Sequence, residues 1–235
     1  MTSLLYPLDS YCKEFTATVE VADGNNVVLS CTAFYPGGGG QPCDIGTLSW
    51  NGEHTRVTAV KREGDKIIHV VEGSIPAIGT EVRAALDWNH RYSLMRTHTA
   101  LHILCGVIFR DFGSQVTGGN MEPLKARMDF ELAQLSADFC QDIEARVNRE
   151  IEAARPVTVR IIPRAEAFAI PDLIRTKINL LPEGIAEVRI VHIEGLDLQA
   201  DGGTHVANTR EVGHINVIGY ENKGKINKRL RITVS

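Results

Sequence analysis

The sequence predicts an α+β protein: a small N-terminal β-barrel over residues 1–87, then an α+β domain over 88–235 in which a long helix packs on a mostly antiparallel sheet. Three observations predict it. Residues 1–86 carry short, β-branched, alternating runs separated by turn signals, the pattern of a small barrel. At Asp87 the apolar period changes to three and four residues. Beyond that helix, a second helical stripe lies among further strand-like runs.

The elements follow in order. Phe15–Val21 alternates, and Asp23-Gly24 marks a turn into Asn26–Cys31. His54–Val60, Lys66–Val71 and Glu81–Leu86 are the remaining barrel strands. From Trp88 to about Asp111, Leu94, His98, Leu101, His102, Cys105 and Ile108 recur at helical steps, with Asp87 as N-cap. A second helix runs from about Ser136 to Ala154; its stripe is Phe139, Ile143, Val147 and Ile151, Ser136 caps it and Pro156 stops it. Lys125–Phe130, Val157–Ile162, Ala186–Ile193, His214–Gly219 and Lys225–Val234 read as strands.

Composition narrows the function. With 235 residues, 43% hydrophobic and 23% charged, the chain is neither disordered, nor collagen-like, nor a disulfide scaffold. No apolar run approaches the ~18 residues of a membrane span. The first ten residues lack a basic segment followed by an apolar core, which predicts a cytoplasmic protein. Five cysteines without a CxxC pair fit reduced thiols, Cys105 included, rather than a zinc ribbon. A net charge of −4 does not advertise a nucleic-acid binder, DNA included, yet partners are met by patches rather than by totals. After Glu221 the tail holds Lys223, Lys225, Lys228, Arg229 and Arg231 with no acid, which reads either as a phosphate-binding strip or as a lysine-protected edge strand.

Three motifs carry chemistry. His98-Thr-Ala-Leu-His102 places two imidazoles one turn apart on one helix face, the geometry two metal ligands need. No glutamate follows His98, so this is not the signature of a zinc peptidase, and two polar residues flanking a core stripe would look the same. Asp201-Gly-Gly-Thr-His205 adds a carboxylate and a third imidazole around a glycine turn, enough with the helix pair for a four-ligand site; a polar turn is the plainer reading. Tyr35-Pro-Gly-Gly-Gly-Gly-Gln-Pro42 can present backbone N–H groups to an anion, or merely bridge two domains. It lacks the GK[ST] ending of a nucleotide P-loop. His54, His69 and His192 read as ordinary strand histidines, and His214 sits close in sequence to the glycine turn.

Taken together, these motifs resemble the free-standing alanyl-tRNA editing proteins, the AlaX family, which are similar to the editing domain of alanyl-tRNA synthetase. The resemblance runs through Phe34-Tyr-Pro-Gly-Gly-Gly-Gly-Gln-Pro42 with Asp44 and Gly46, and Met95-Arg-Thr-His-Thr-Ala-Leu-His102. It continues in Arg127-Met-Asp-Phe130, Ala153-Ala-Arg-Pro156, Asp197-Leu-Gln-Ala-Asp-Gly-Gly-Thr-His-Val206 and Asn208-Thr-Arg-Glu-Val-Gly213. Having both a barrel and an editing domain, the chain resembles the medium-length members. One departure stands out: the family pattern is HxxxH followed by CxxxH, and Asp201 occupies the cysteine position.

The resemblance implies an aminoacyl-tRNA deacylase that hydrolyses mischarged tRNA(Ala), chiefly Ser-tRNA(Ala), and cannot charge tRNA itself. It implies one zinc per chain on His98, His102, Asp201 and His205; a carboxylate is a harder ligand than a thiolate, which opens the site to other divalent metals, and the alternative is that Asp201 stays off the metal and orients a histidine or a water. Thr117 is the candidate for sensing the serine hydroxyl, and Gln41 for contacting the terminal adenosine or the ester. Gly38, Gly39, Gly40 and Gln41 in one loop, and Gly202, Gly203 and Thr204 in the other, are the expected substrate or tRNA contacts. Arg83, Arg91, Arg96 and the basic tail are the acceptor-stem candidates. Two alternatives stand beside this reading: a deacylase for another mischarged tRNA, and a non-catalytic tRNA-binding module whose metal site has decayed at Asp201. The sequence leaves the oligomeric state open.

Overall fold

A computed structural model of the protein describes residues 2–176, 184–224 and 226–235. The chain forms two compact units, Met1–Ser93 and Leu94–Ser235.

The first unit holds β1 (Ser3–Leu4), β2 (Glu14–Asp23), β3 (Asn26–Leu29), β4 (Cys31–Thr32), β5 (Gly46–Trp50), β6 (Glu53–Glu63), β7 (Lys66–Gly73) and β8 (Glu81–Leu86). Six of them close into a barrel in the order β2-β3-β7-β6-β5-β8, each pairing antiparallel. Closure leaves no open edge, and alternate side chains fill the interior: Val19, Val27, Leu29, Leu48, Val57, Ile67 and Val82 are buried there. The sequence does not predict strand β5, because a five-residue run behind a glycine loop carries a weak signal. His69 lies wholly inside: Nδ1 donates to the Val27 carbonyl at 3.1 Å and Nε2 meets Thr32 Oγ1 at 2.8 Å. Burial pushes its pKa down to about 4, so the ring is a neutral core residue.

Helix α1 (Trp88–Phe112) begins where Asp87 Oδ1 accepts the His90 amide at 3.0 Å. The sequence reads as an amphipathic stripe, yet from Leu94 to Ile108 every residue except the half-buried Arg96 is buried. A helix enclosed on all sides is apolar all round, and its few polar side chains must find partners inside.

The rest of the second unit comprises β9 (Val116–Glu122), β10 (Lys125–Glu131), α2 (Ala137–Glu152), β11 (Val157–Pro163), α3 (Arg164–Ala169), β12 (Glu187–Ile193), β13 (Asp197–Ala200), a 3-10 turn (Thr209–Val212), β14 (Ile215–Asn222) and β15 (Asn227–Val234). Two antiparallel sheets result, ordered β14-β15-β10-β9 and β11-β12-β13. Ser136 caps α2 through the Phe139 amide at 3.2 Å, and Ile143, Val147 and Ile151 face inward while Phe139 packs against Phe112. The first residue of the expected strand Lys225–Val234, Lys225, lies outside the described residues.

The edge-strand reading of the basic tail needs correction. Strand β15 lies between β14 and β10, so it is not an edge. The tail's cations differ in availability: Lys223 is exposed, while Lys225 lies outside the described residues. Lys228 is buried against the Gly224 carbonyl, Arg229 forms a two-pronged pair with Asp129 at 2.6 and 2.7 Å, and Arg231 lies 3.3 Å from Glu221. Among the described residues, no helix is long and apolar enough to cross a membrane.

Candidate metal centre

Helix α1 supplies His98 and His102, one turn apart, their ring centroids 5.2 Å from one another. The segment after β13 supplies Asp201 and His205. Asp201 starts a tight local turn by accepting the Gly203 amide on Oδ1 at 2.6 Å, which swings His205 back toward the helix. Neither Gly202 nor Gly203 takes a positive φ, so the turn is held by the aspartate rather than by left-handed glycines.

The four side chains meet. One ligand atom from each of His98, His102, Asp201 and His205 lies within 4.8 Å of all the others. Asp201 Oδ2 sits 3.4 Å from His98 Nε2 and 3.9 Å from His102 Nε2, while Oδ1 sits 3.2 Å from His205 Nε2. His98 stacks on His205 with centroids 4.3 Å apart, and His102 meets His205 edge-on at 4.7 Å.

Two of the outer ring nitrogens have defined partners. His102 Nδ1 donates to Asp197 Oδ2 at 3.1 Å. His205 Nδ1 lies 3.2 Å from Thr99 Oγ1, and the same hydroxyl accepts the Val206 amide at 3.2 Å. Arg189 Nη1 donates to the Asp201 carbonyl at 2.8 Å and holds the loop from behind. Sequence reasoning does not single out Thr99, Asp197 or Arg189. Asp197 and Thr99 lie within the quoted motifs, but only the packing reveals which nitrogen each one faces.

The donor set fits a tetrahedral divalent metal. Bonds of about 2.0–2.1 Å to N and O ligands require ligand–ligand edges of about 3.3 Å, close to the shorter separations here. Without a cation, the electrostatics are those of a carboxylate crowded by imidazoles. Burial would raise the Asp201 pKa, but the charge of His98 and hydrogen bonds from His102, His205 and His98 hold it well below the usual range. Burial would lower His102, yet bonds to Asp197 and Asp201 lift it to about 9, while burial and the charge of His98 drive His205 well down. Asp201 is the least enclosed of the four, with 18% side-chain exposure against 6%, 6% and 1% for His98, His102 and His205.

Gly202, Gly203 and Thr204 form the turn between Asp201 and His205, and among the described residues none of the other expected site residues joins the four-residue cluster. Gly38, Gly39, Gly40 and Gln41 form a hairpin in the first unit, where Gly38 and Gln41 exchange both backbone bonds at 3.0 and 2.9 Å. Gly38, Gly39 and Gly40 have φ of 136°, 58° and 90°, a region that disfavours residues with a side chain. Tyr35 braces the loop with its hydroxyl on the Gly38 carbonyl at 3.1 Å, and Gln41 is 2% exposed. Gly203 and Thr204 are buried and Gly202 is exposed. Thr117 sits exposed on β9, its hydroxyl donating to Asn227 Oδ1 at 2.9 Å. His214 is exposed and does not join the cluster. Cys105 is buried, and burial pushes its thiol up, away from nucleophilic use. Arg91 is enclosed completely, donating to Asp44 and to the Ser10 and Ala33 carbonyls, so it is not available to an external RNA. Arg96 holds the Val212 carbonyl, and Arg83 is exposed beside Glu14.

Comparison with known proteins gives a consistent picture. Residues 9–90 match the family described as tRNA synthetases class II (A), and residues 188–231 match the threonyl and alanyl tRNA synthetase second additional domain. The chain is 42% identical over 238 residues to an alanyl-tRNA editing protein AlaX-M from Saccharolobus solfataricus, covering 100% of this chain and 99% of that one. It is 39% identical over 241 residues to AlaX-M from Methanosarcina barkeri, with the same coverage of 100% and 99%. It is also 40% identical over 224 residues to the alanine–tRNA ligase of Pyrobaculum neutrophilum, across 92% of this chain and 25% of the ligase.

Proposed function

The chain belongs to the AlaX-M family of alanyl-tRNA editing proteins, and from that premise we propose that it is a trans-acting deacylase for mischarged tRNA(Ala), chiefly Ser-tRNA(Ala). The observation that carries the reading is the convergence of three histidines and one aspartate within 4.8 Å. Zinc held by His98, His102, His205 and Asp201 Oδ2 would supply positive charge where the ester carbonyl develops negative charge, and would acidify a water. An aminoacyl ester is already activated, so placement and charge neutralisation are the main requirements.

The protein's own groups supply the placement. His98 and His102 are fixed by a helix that is enclosed on all sides. Thr99 orients His205, and the Gly203 amide occupies Asp201 Oδ1, leaving Oδ2 toward the two helix histidines. The exposed edge of Asp201 is the side from which a substrate ester can reach the centre. Replacing thiolate by carboxylate keeps the charge and gives a harder donor, so the site remains a credible zinc site with wider metal tolerance. Discrimination of serine from alanine requires a polar group that bonds the serine hydroxyl, because such a site rejects the analogue lacking it. Thr117 remains the candidate, with lone pairs left to accept once its proton is committed to Asn227. Gln41 and the loop glycines remain the candidates for the tRNA end.

The test is deacylation of Ser-tRNA(Ala) beside Ala-tRNA(Ala), with protein as purified, after chelation, and after zinc is restored. Loss of serine that is chelator-sensitive, with alanine spared, supports the reading. No turnover of either substrate in the zinc-loaded protein would overturn it.

A further inference from the structure

Asp197 is not one of the four converging residues, yet it is the most enclosed carboxylate near them, with 0% side-chain exposure. Its Oδ2 accepts His102 Nδ1 at 3.1 Å and Gln199 Nε2 at 2.7 Å. Its Oδ1 lies 3.5 Å from Arg175 Nε, and the Arg175 guanidinium stacks over Phe109 with its carbon 3.7 Å from the ring centroid. Gln199 is two residues along β13 and so shares a strand face with Asp197. The helix side is cleared by Gly106, one turn beyond His102. A methyl there would stand 3.0 Å from both Asp197 Cβ and Leu196 Cγ. The close approach of β13 to α1 therefore depends on the missing side chain.

We propose that Asp197 is a positioning residue that fixes His102 as an Nε2 ligand. A neutral imidazole carries one N–H, and an ionised carboxylate can only accept. The contact therefore keeps the proton on Nδ1 and leaves the Nε2 lone pair facing Asp201 and the other histidines. Gln199 and Arg175 hold the carboxylate in that orientation, and Gly106 gives it room. Outer-shell carboxylates of this kind raise ligand basicity and fix the ring. The inference rests on the metal-site reading above.

Two measurements test it. Zinc affinity is determined by competition with a chromogenic chelator for wild type, Asp197→Asn, Asp197→Ala and Gly106→Ala. Separately, the ring nitrogens of His102 are read by 15N NMR in metal-free wild type and Asp197→Asn at about pH 10, above the pKa of about 9 that the carboxylates give the metal-free ring, so that the ring is neutral and carries one proton. The proposal expects zinc binding to weaken about 10- to 100-fold in Asp197→Ala, less in Asp197→Asn, which retains an acceptor oxygen, and measurably in Gly106→Ala. It expects His102 of the metal-free wild type to carry its proton on Nδ1, with that preference reduced in Asp197→Asn. Affinity within about twofold of wild type in Asp197→Ala, or an unchanged His102 tautomer in a folded Asp197→Asn, overturns it. If the wild type binds no zinc, the metal reading fails by itself, while the nitrogen signals still decide whether Asp197 sets the tautomer.

Discussion

Thr99 Oγ1 lies 3.2 Å from His205 Nδ1, so a hydroxyl between the two helix histidines positions the loop histidine 106 residues further along the chain. For Nε2 of His205 to offer a lone pair, its proton must sit on Nδ1 and Thr99 must accept it. Thr99→Val removes that acceptor and also strands the Val206 amide. Unsatisfied buried donors cost about 1–3 kcal/mol each, so the variant should melt lower and hold zinc more weakly. Thr99→Ser should retain both properties. Thermal unfolding with parallel zinc titration checks this, and a Thr99→Val protein identical to wild type in both would remove the role.

Asp201→Cys restores the ligand set of the resemblance. Zinc affinity should hold or rise, because thiolate suits the softer metals, and the cobalt-loaded variant should gain a sulfur-to-metal absorption band. Complete loss of metal from a folded variant would mean that the turn built on Asp201 Oδ1 and the Gly203 amide is specific to a carboxylate.

His98→Ala or His102→Ala should abolish zinc retention and deacylation together. Metal content by atomic absorption and turnover of Ser-tRNA(Ala) are the readouts. Full activity in both variants is incompatible with a metal-centred reaction.

Asp44 and Arg91 are both 0% exposed and hold each other at the base of the glycine loop, where Asp44 Oδ2 also accepts the Tyr35 amide at 2.6 Å. Removing one partner leaves a buried charge alone. Arg91→Met and Asp44→Asn should each destabilise the protein by about 3–5 kcal/mol, and the double variant by less than the sum. Chemical denaturation of the four proteins measures the coupling. Additive losses would mean that the two side chains act independently.

His69 gives a pH dependence. Its pKa is about 4 when folded, against 6.5 for the exposed ring, because burial disfavours its charge. The unfolded chain therefore binds the proton first. Stability from this group is whole above about pH 6.5 and declines as pH falls toward 4, by about 3 kcal/mol in total. Urea midpoints across that window should show a smaller decline in His69→Gln. An equal decline in both proteins would assign the acid sensitivity to other groups.

Elements with strong periodicity are legible in the sequence: Glu81–Leu86 matches residue for residue, and α1 extends one residue beyond its expected end. Weak local signals hide the others. Val116–Glu122 carries two glycines and an asparagine, residues poor in strands, yet β10 pairs with it along its length. Asp197–Ala200 is only four residues long and reads as part of a motif, while its pairing with β12 makes it a strand. The tail misleads for another reason. Charge in a sequence is counted without partners, and Asp129 and Glu221, which neutralise Arg229 and Arg231, come from neighbouring strands.

By itself the sequence determined the α+β class, the barrel strands with strong alternation, the helical spacing of His98 and His102, and the donor types offered by the motifs at His98–His102 and Asp201–His205. These are local properties: period, caps, turn residues and donor type are written in short windows. Only the tertiary structure decided which nitrogens of His102 and His205 face inward, because that depends on Asp197 and Thr99 engaging the outer nitrogen of each ring. It alone turned Arg91 from a candidate RNA contact into a buried partner of Asp44. Burial and pairing are sums over residues distant in the chain, and a linear pattern does not carry those sums.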